Sequence, residues 1–148
     1  MDALALLKAD HDKVKKMLAD GEATTERAEK TRTELFTSLK DEMMIHERIE
    51  EEIFYPALKS HPKAKELVLE GYEEHHVVDE IMGELETTDV ADEVWAAKFK
   101  VMKENIEHHI EEEEGEMFKQ ARSVFDGEEL ERLGARMMEL KQLAQQAS

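Results

Sequence analysis

HERIEEEIFYPAL, residues 46–58, and its echo HIEEEEGEMFKQAR, residues 109–122, decide the fold of this chain. Each opens with His-x-x-x-Glu, pairing His46 with Glu50 and His109 with Glu113. A spacing of four puts both side chains on one face of an α-helix. Working outward, the apolar stripe around the first segment is Leu35, Leu39, Met43, Ile53 and Ala57. Around the second it is Trp95, Phe99, Met102, Ile106, Ile110, Met117 and Val124. At about 100° per residue, His46 and Glu50 fall at the centre of the first stripe. Glu113 lies inside the second stripe, His109 lies on its edge, and His108 points away.

The rest of the chain has the same character. Two Pro and six Gly punctuate 148 residues, and good helix formers dominate. No stretch alternates with period two and β-branched residues, so strands are not expected. Five helices are predicted: about Asp2–Ala19, Thr25–Tyr55, Lys63–Leu85 and Ala91–Val124, and a last one from Asp126 to about residue 146. Pro56 is expected to disrupt the second. Asp126, with Glu129 three residues on, forms a capping pair for the fifth. Short loops between long amphipathic helices imply an all-α fold: an antiparallel up-down four-helix bundle over about residues 2–125, with a fifth C-terminal helix, in one domain of residues 1–148.

Composition excludes several functions. There is no Cys, hence no disulfide, thiolate metal site or cysteine nucleophile. Acidic residues number 37 against 20 Lys and Arg, a net charge of −17. That balance argues against nucleic acid and against anionic membrane surfaces as partners. No apolar run approaches the ~20 residues of a membrane span. The N-terminal Met1-Asp2-Ala3-Leu4 lacks the basic lead of a signal peptide, so a cytoplasmic location is expected.

Against this background the inward-facing polar residues stand out. His11 lies within the first helix's stripe of Leu4, Leu7, Val14 and Leu18, and His75 lies on the third helix's apolar face. Two Glu and four His thus converge on one bundle axis. Buried carboxylates are very costly without compensation, and a bound cation removes that difficulty. A repeat reinforces the point. His11 to His46 spans 35 residues and His75 to His109 spans 34, each second member carrying Glu four residues later. Two such hairpins about a pseudo-twofold axis would hold two metals, each with two His, bridged by Glu50 and Glu113. Mixed imidazole and carboxylate donors suit iron, and less well manganese or zinc.

At these residues the sequence resembles the haemerythrin-like family, the HHE cation-binding domains. The matching pieces are His11-Asp12, HERIEEEIFYPAL (46–58), EEHHVVDEIMGEL (73–85) and HIEEEEGEMFKQAR (109–122). The resemblance implies a non-haem centre of two iron ions with an oxo or hydroxo bridge, with His11, His46, His75 and His109 as terminal ligands and Glu50 and Glu113 as bridges. The oxygen carriers of the family take a fifth His from a His-x-x-x-His pair on the third helix. Here the neighbours of His75 at that spacing are Gly71 and Asp79. Glu47 is the candidate replacement, because His46-Glu47-x-x-Glu50 resembles the iron-sensing branch; a surface Glu is its alternative. Facing favours His75 over His76 and Glu113 over Glu114, the carriers having an Asp at the place of Glu114. His61 is read as a solvated loop residue and His76 and His108 as surface or supporting residues; Tyr55 and Tyr72 are read as packing, with gating or hydrogen-bonding of a bound ligand as the alternative.

The function expected from these features is reaction with a small oxidant, peroxide or dioxygen, in catalase-like turnover at the iron pair. The alternative is non-enzymatic: binding of oxygen or nitric oxide, iron sensing, or iron donation for repair. The partner is a small ligand, and the chain a monomer or homodimer.

Overall fold

The computed structural model describes residues 1–147, which contain helices and turns and no strand. Helix α1 spans Ala3–Glu22 and α2 spans Glu29–Ile49. The chain continues from α2 through a π-helical turn, Glu50–Phe54, into α3, Tyr55–Lys59. Helix α4 spans Lys65–Glu86, and α5 spans Glu93–Glu112. A second π turn, Glu113–Met117, leads from α5 into α6, Phe118–Val124. Helix α7, Gly127–Ala147, packs on α1 and α2. The two interrupted rods, with α1 and α4, form the expected antiparallel bundle, and α7 is its fifth helix.

Local chemistry accounts for most boundaries. Asp2 caps α1 by accepting from the Ala5 N–H at 2.8 Å, and Asp92 caps α5 from Val94 at 2.9 Å. The Asp126–Glu129 box closes in both directions, at 2.8 and 3.3 Å. The second helix starts later than expected, at Glu29, after a turn in which the Ala28 N–H donates to the Thr25 carbonyl at 3.0 Å. Buried Arg32 donates to the Thr24 hydroxyl (2.9 Å), the Thr24 carbonyl (3.0 Å) and the Val90 carbonyl (2.6 Å). It thereby ties the α1–α2 loop to the α4–α5 loop. Gly134 is required where α7 crosses the start of α1: a Cβ there would lie 2.4 Å from the Met1 carbonyl oxygen.

The π turns are the main departure from the sequence expectation. Pro56 does not end the rod; it lies in the first turn of α3, after the wider turn. Proline has no N–H to offer the Glu51 carbonyl five residues back, and the Tyr72 hydroxyl donates to that carbonyl instead, at 3.4 Å. An extra residue also slips the helical phase. Ala57 and Val124, expected inward, are only partly buried, whereas Phe54, Leu58, Phe118 and Ala121 fill the core. The two turns begin at Glu50 and Glu113, the equivalent positions of the repeat, and π turns often accompany functional sites.

Apolar side chains form two clusters. One gathers Leu6, Ile49, Phe54, Leu58, Phe118 and Met137. The other gathers Leu18, Leu39, Met82, Trp95, Phe99 and Ile106. Along the chain His11, His46, His75 and Glu113 lie between the clusters, and Glu50 and His109 lie one residue to one side of that junction. Among the described residues no helix is long and apolar enough to cross a membrane.

Candidate metal centre

His11, His46, His75, His109, Glu50 and Glu113 are all buried, the two Glu at 0% and 1% exposure. His11, His46, Glu50 and Glu113 present donor atoms within 4.8 Å of one another, as do Glu50, His75 and His109. The centre is therefore two pockets sharing carboxylates. Glu113 divides its oxygens between them, Oε1 lying 3.0 Å from His11 Nε2 and Oε2 3.2 Å from His109 Nε2. Glu50 Oε1 lies 3.3 Å from His46 Nε2 and 3.0 Å from His75 Nε2.

Each imidazole is held from behind by another carboxylate. The Nδ1 atoms contact Glu114 (His11, 2.7 Å), Asp10 (His46, 3.0 Å), Glu51 (His75, 2.7 Å) and Glu74 (His109, 2.8 Å). With Nδ1–H donating outward, every Nε2 lone pair points inward, the tautomer a metal requires. The backing follows the repeat. Asp10 and Glu74 each precede the first His of their hairpin and hold the second. Glu51 and Glu114 each follow the central Glu and hold the first His of the other hairpin. Glu114, which facing set aside in favour of Glu113, thus supports His11 from behind.

The first pocket contains buried atoms with no hydrogen-bond partner: His11 Nε2, His46 Nε2, Glu50 Oε2 and Glu113 Oε1. Four converging donors with unused lone pairs, two of them on carboxylates, form a strongly unfavourable arrangement on their own. A cation at their common focus satisfies all four, and the nitrogen and oxygen donors fit iron.

The second pocket is different, because the Tyr55 hydroxyl occupies it. It donates to Glu113 Oε2 at 2.7 Å and lies 3.4 Å from His109 Nε2 and 3.5 Å from His75 Nε2. Its ring stacks on His75 at 5.4 Å. Gly71 makes room, since a Cβ there would lie 2.9 Å from the Tyr55 hydroxyl oxygen. Where the oxygen carriers place an additional imidazole near this helix, a glycine admits a phenol from the neighbouring rod. The repeat partner of Tyr55 is Phe118, stacked near His11 at 6.2 Å with no hydroxyl to offer. The two halves are therefore unequal, and Tyr55, expected first of all to pack, also hydrogen-bonds within the pocket. A second asymmetry comes from α7, where Lys141 forms an ion pair with Asp10, the carboxylate behind His46.

Electrostatics follow from burial against charge. Burial pulls the His46 and His109 imidazoles down, but the Glu50 and Glu113 charges and the backing carboxylates outweigh it, so both stand well above the usual histidine range. His75 is raised more modestly, burial being offset by its bond to Glu50. Burial pushes Glu113 up, yet hydrogen bonding and the His109 charge leave it well below the carboxylate range. Burial, then the Glu113 and Glu50 charges, hold Tyr55 well above its usual value, so its hydroxyl stays protonated.

Glu47 is buried but stands apart from the paired pockets. Its donor atoms group with Glu51 and His75. Burial, then the adjoining Asp79 carboxylate and the Glu51 charge, push it up to about 10. His76 and His108 are exposed and pair with Glu80 and Glu112 on their own helices, each at 3.1 Å. Beside the imidazoles lies a small cavity of about 10 Å³, walled by Val14, Met43, Val78, Ile106 and Ile110, room for about one water-sized molecule.

Asp10, Glu51, Glu74 and Lys141 were not among the residues expected from the sequence. The acid-His pairs Asp10-His11 and Glu74-His75 recur in the repeat and offered one signal. Nothing in the sequence pointed to Lys141.

The family model described as Hemerythrin HHE cation binding domain matches residues 2–121. The crystal structure of a Hemerythrin HHE cation binding domain-containing protein from Mycobacterium kansasii superposes with a TM-score of 0.88 at 28% identity, covering 99% of this chain and 89% of that one. No curated protein matches the sequence.

Proposed function

The chain belongs to the haemerythrin HHE cation-binding family, and from that premise we propose that it is a non-haem di-iron protein that turns over a small oxidant, peroxide or dioxygen, in catalase-like fashion. The observation that carries the proposal is the set of four buried, unpartnered donor atoms on His11, His46, Glu50 and Glu113. His75, His109 and the same two Glu would hold the second ion, with the Tyr55 oxygen beside it. Iron would supply paired redox equivalents matching the two electrons of peroxide.

The chain's own residues perform the rest. Glu50 and Glu113, each reaching an imidazole of both pockets, would hold both cations and offset part of their charge. Asp10, Glu51, Glu74 and Glu114 orient the imidazoles and raise their basicity. The apolar wall of Val14, Met43, Val78, Ile106 and Ile110 keeps bulk water from the reacting face. Tyr55 holds a proton at its hydroxyl, 2.7 Å from Glu113, within reach of an oxygen that needs one. The small apolar-walled cavity also suits reversible capture of dioxygen or nitric oxide, so one experiment must separate turnover from capture. Purified protein is analysed for iron, then mixed with peroxide at an oxygen electrode. Two irons per chain and steady oxygen evolution, lost in His46→Ala, are expected. Reversible oxygen binding without peroxide turnover would establish the carrier instead, and absence of transition metal would refute both.

A further inference from the structure

A cleft of about 420 Å³ opens between α2 and α4 on the outer side of His75. Its lining includes Glu47, Glu51 and Asp79, together with Lys40 and Arg48. The two cations are already engaged, Lys40 with Glu86 and Arg48 with Glu52 at 2.5 Å. Neither Lys40 nor Arg48 therefore neutralises these carboxylates, of which Glu51 is held by the His75 imidazole. They descend from solvent inward: Asp79 is exposed, Glu51 is half-buried, and Glu47 is 6% exposed. Glu47 Oε2 has no hydrogen-bond partner. Its donor atoms, with those of Glu51 and His75, lie within 4.8 Å of one another. Glu51 meanwhile contacts His75 Nδ1 at 2.7 Å, and His75 Nε2 reaches the shared Glu50.

We propose that Glu47, Glu51 and Asp79 form a separate binding site for a hard divalent cation, through which iron passes from solvent to the buried pair. Oxygen-only donors on a partly hydrated cleft suit an ion that keeps some of its water, such as Mn²⁺, Mg²⁺ or Fe²⁺. The graded burial strips that water in steps, and the buried pair lies one side chain further in. The site's existence stands on the cleft and the unpartnered carboxylate. Its role in loading rests on the di-iron function proposed above.

Iron-loaded protein titrated with Mn²⁺, with free Mn²⁺ read by electron paramagnetic resonance, tests the site. One further Mn²⁺ per chain is expected, with its affinity lowered about 10- to 100-fold in Asp79→Asn and in Glu47→Gln. Exposed Glu80→Gln serves as the control and should bind as the parent does. Metal analysis of the same samples reports the iron pair independently, so a chain without iron and a chain without the Mn²⁺ site give different results. No Mn²⁺ binding by the parent, or parental affinity in both variants, would overturn the site. The rate at which metal-free protein takes up Fe²⁺ tests the passage: slower uptake in both variants, reaching the parental iron content, is expected, and uptake at the parental rate would overturn it.

Discussion

Replacing Tyr55 by Phe tests the most unusual feature of the centre. The substitution keeps the ring that stacks on His75 and packs against Tyr72 at 5.2 Å, and removes only the hydroxyl. That hydroxyl makes a 2.7 Å bond to the carboxylate of Glu113, which is 1% exposed. Hydrogen bonds to charged groups contribute about 1.5–3 kcal/mol, and leaving the buried acceptor short of a donor adds to the loss. Glu113 Oε2 retains His109 Nε2 at 3.2 Å, which places the expected cost near the middle of that range, about 2 kcal/mol. For a chain of this size roughly 2–4 °C accompanies each kcal/mol, so metal-free Tyr55→Phe should melt about 4–8 °C below the parent. Differential scanning calorimetry on chelated protein measures it. Tyr72→Phe is the comparison, because the Tyr72 hydroxyl reaches only the Glu51 carbonyl, at 3.4 Å, from a half-buried position; it should lose about 1 kcal/mol or less. Equal melting of the Tyr55 variant and the parent would show that the hydroxyl is not seated in the second pocket, and the inequality of the two pockets would fall with it.

Other expectations concern pH, the fifth helix and two glycines. His46, His75 and His109 stand above their usual range. In metal-free protein they therefore stabilise the fold fully below the unfolded value of about 6.5 and lose that contribution as pH rises through their folded values. Metal binding needs these imidazoles deprotonated, so the gap between loaded and metal-free melting temperatures should widen from about pH 6 to pH 8; a constant gap would contradict the assignment. Lys141→Met removes the partner of buried Asp10 and should cost about 1–3 kcal/mol in urea unfolding, whereas Lys16→Met, in an exposed pair with Asp20, should cost about 0–1. Gly134→Ala drives a Cβ to 2.4 Å from the Met1 carbonyl oxygen and should destabilise by about 1–3 kcal/mol. Gly83→Ala, with open space around it, should stabilise by about 0.4–1 kcal/mol; the same denaturation curves check both.

Period and spacing along the chain were enough to establish the helical class, the fifth helix and the inward convergence of His11, His46, Glu50, His75, His109 and Glu113. These features depend on residues within one helix or on a repeat of one hairpin, and a helix of 3.6 residues per turn turns such spacings directly into facing. What the tertiary structure decided depends on which helices become neighbours. Glu114 holds His11 across 103 residues, and Lys141 reaches Asp10 across 131, distances over which periodicity carries no information. The π turns shifted the core from Ala57 and Val124 to Leu58 and Ala121, because one inserted residue resets the phase for everything after it. Tyr55 enters the second pocket only because Gly71, on another rod, leaves space for it. Glu47 and Asp79 meet in the cleft for the same reason: they lie on different helices, and only packing brings the two carboxylates together.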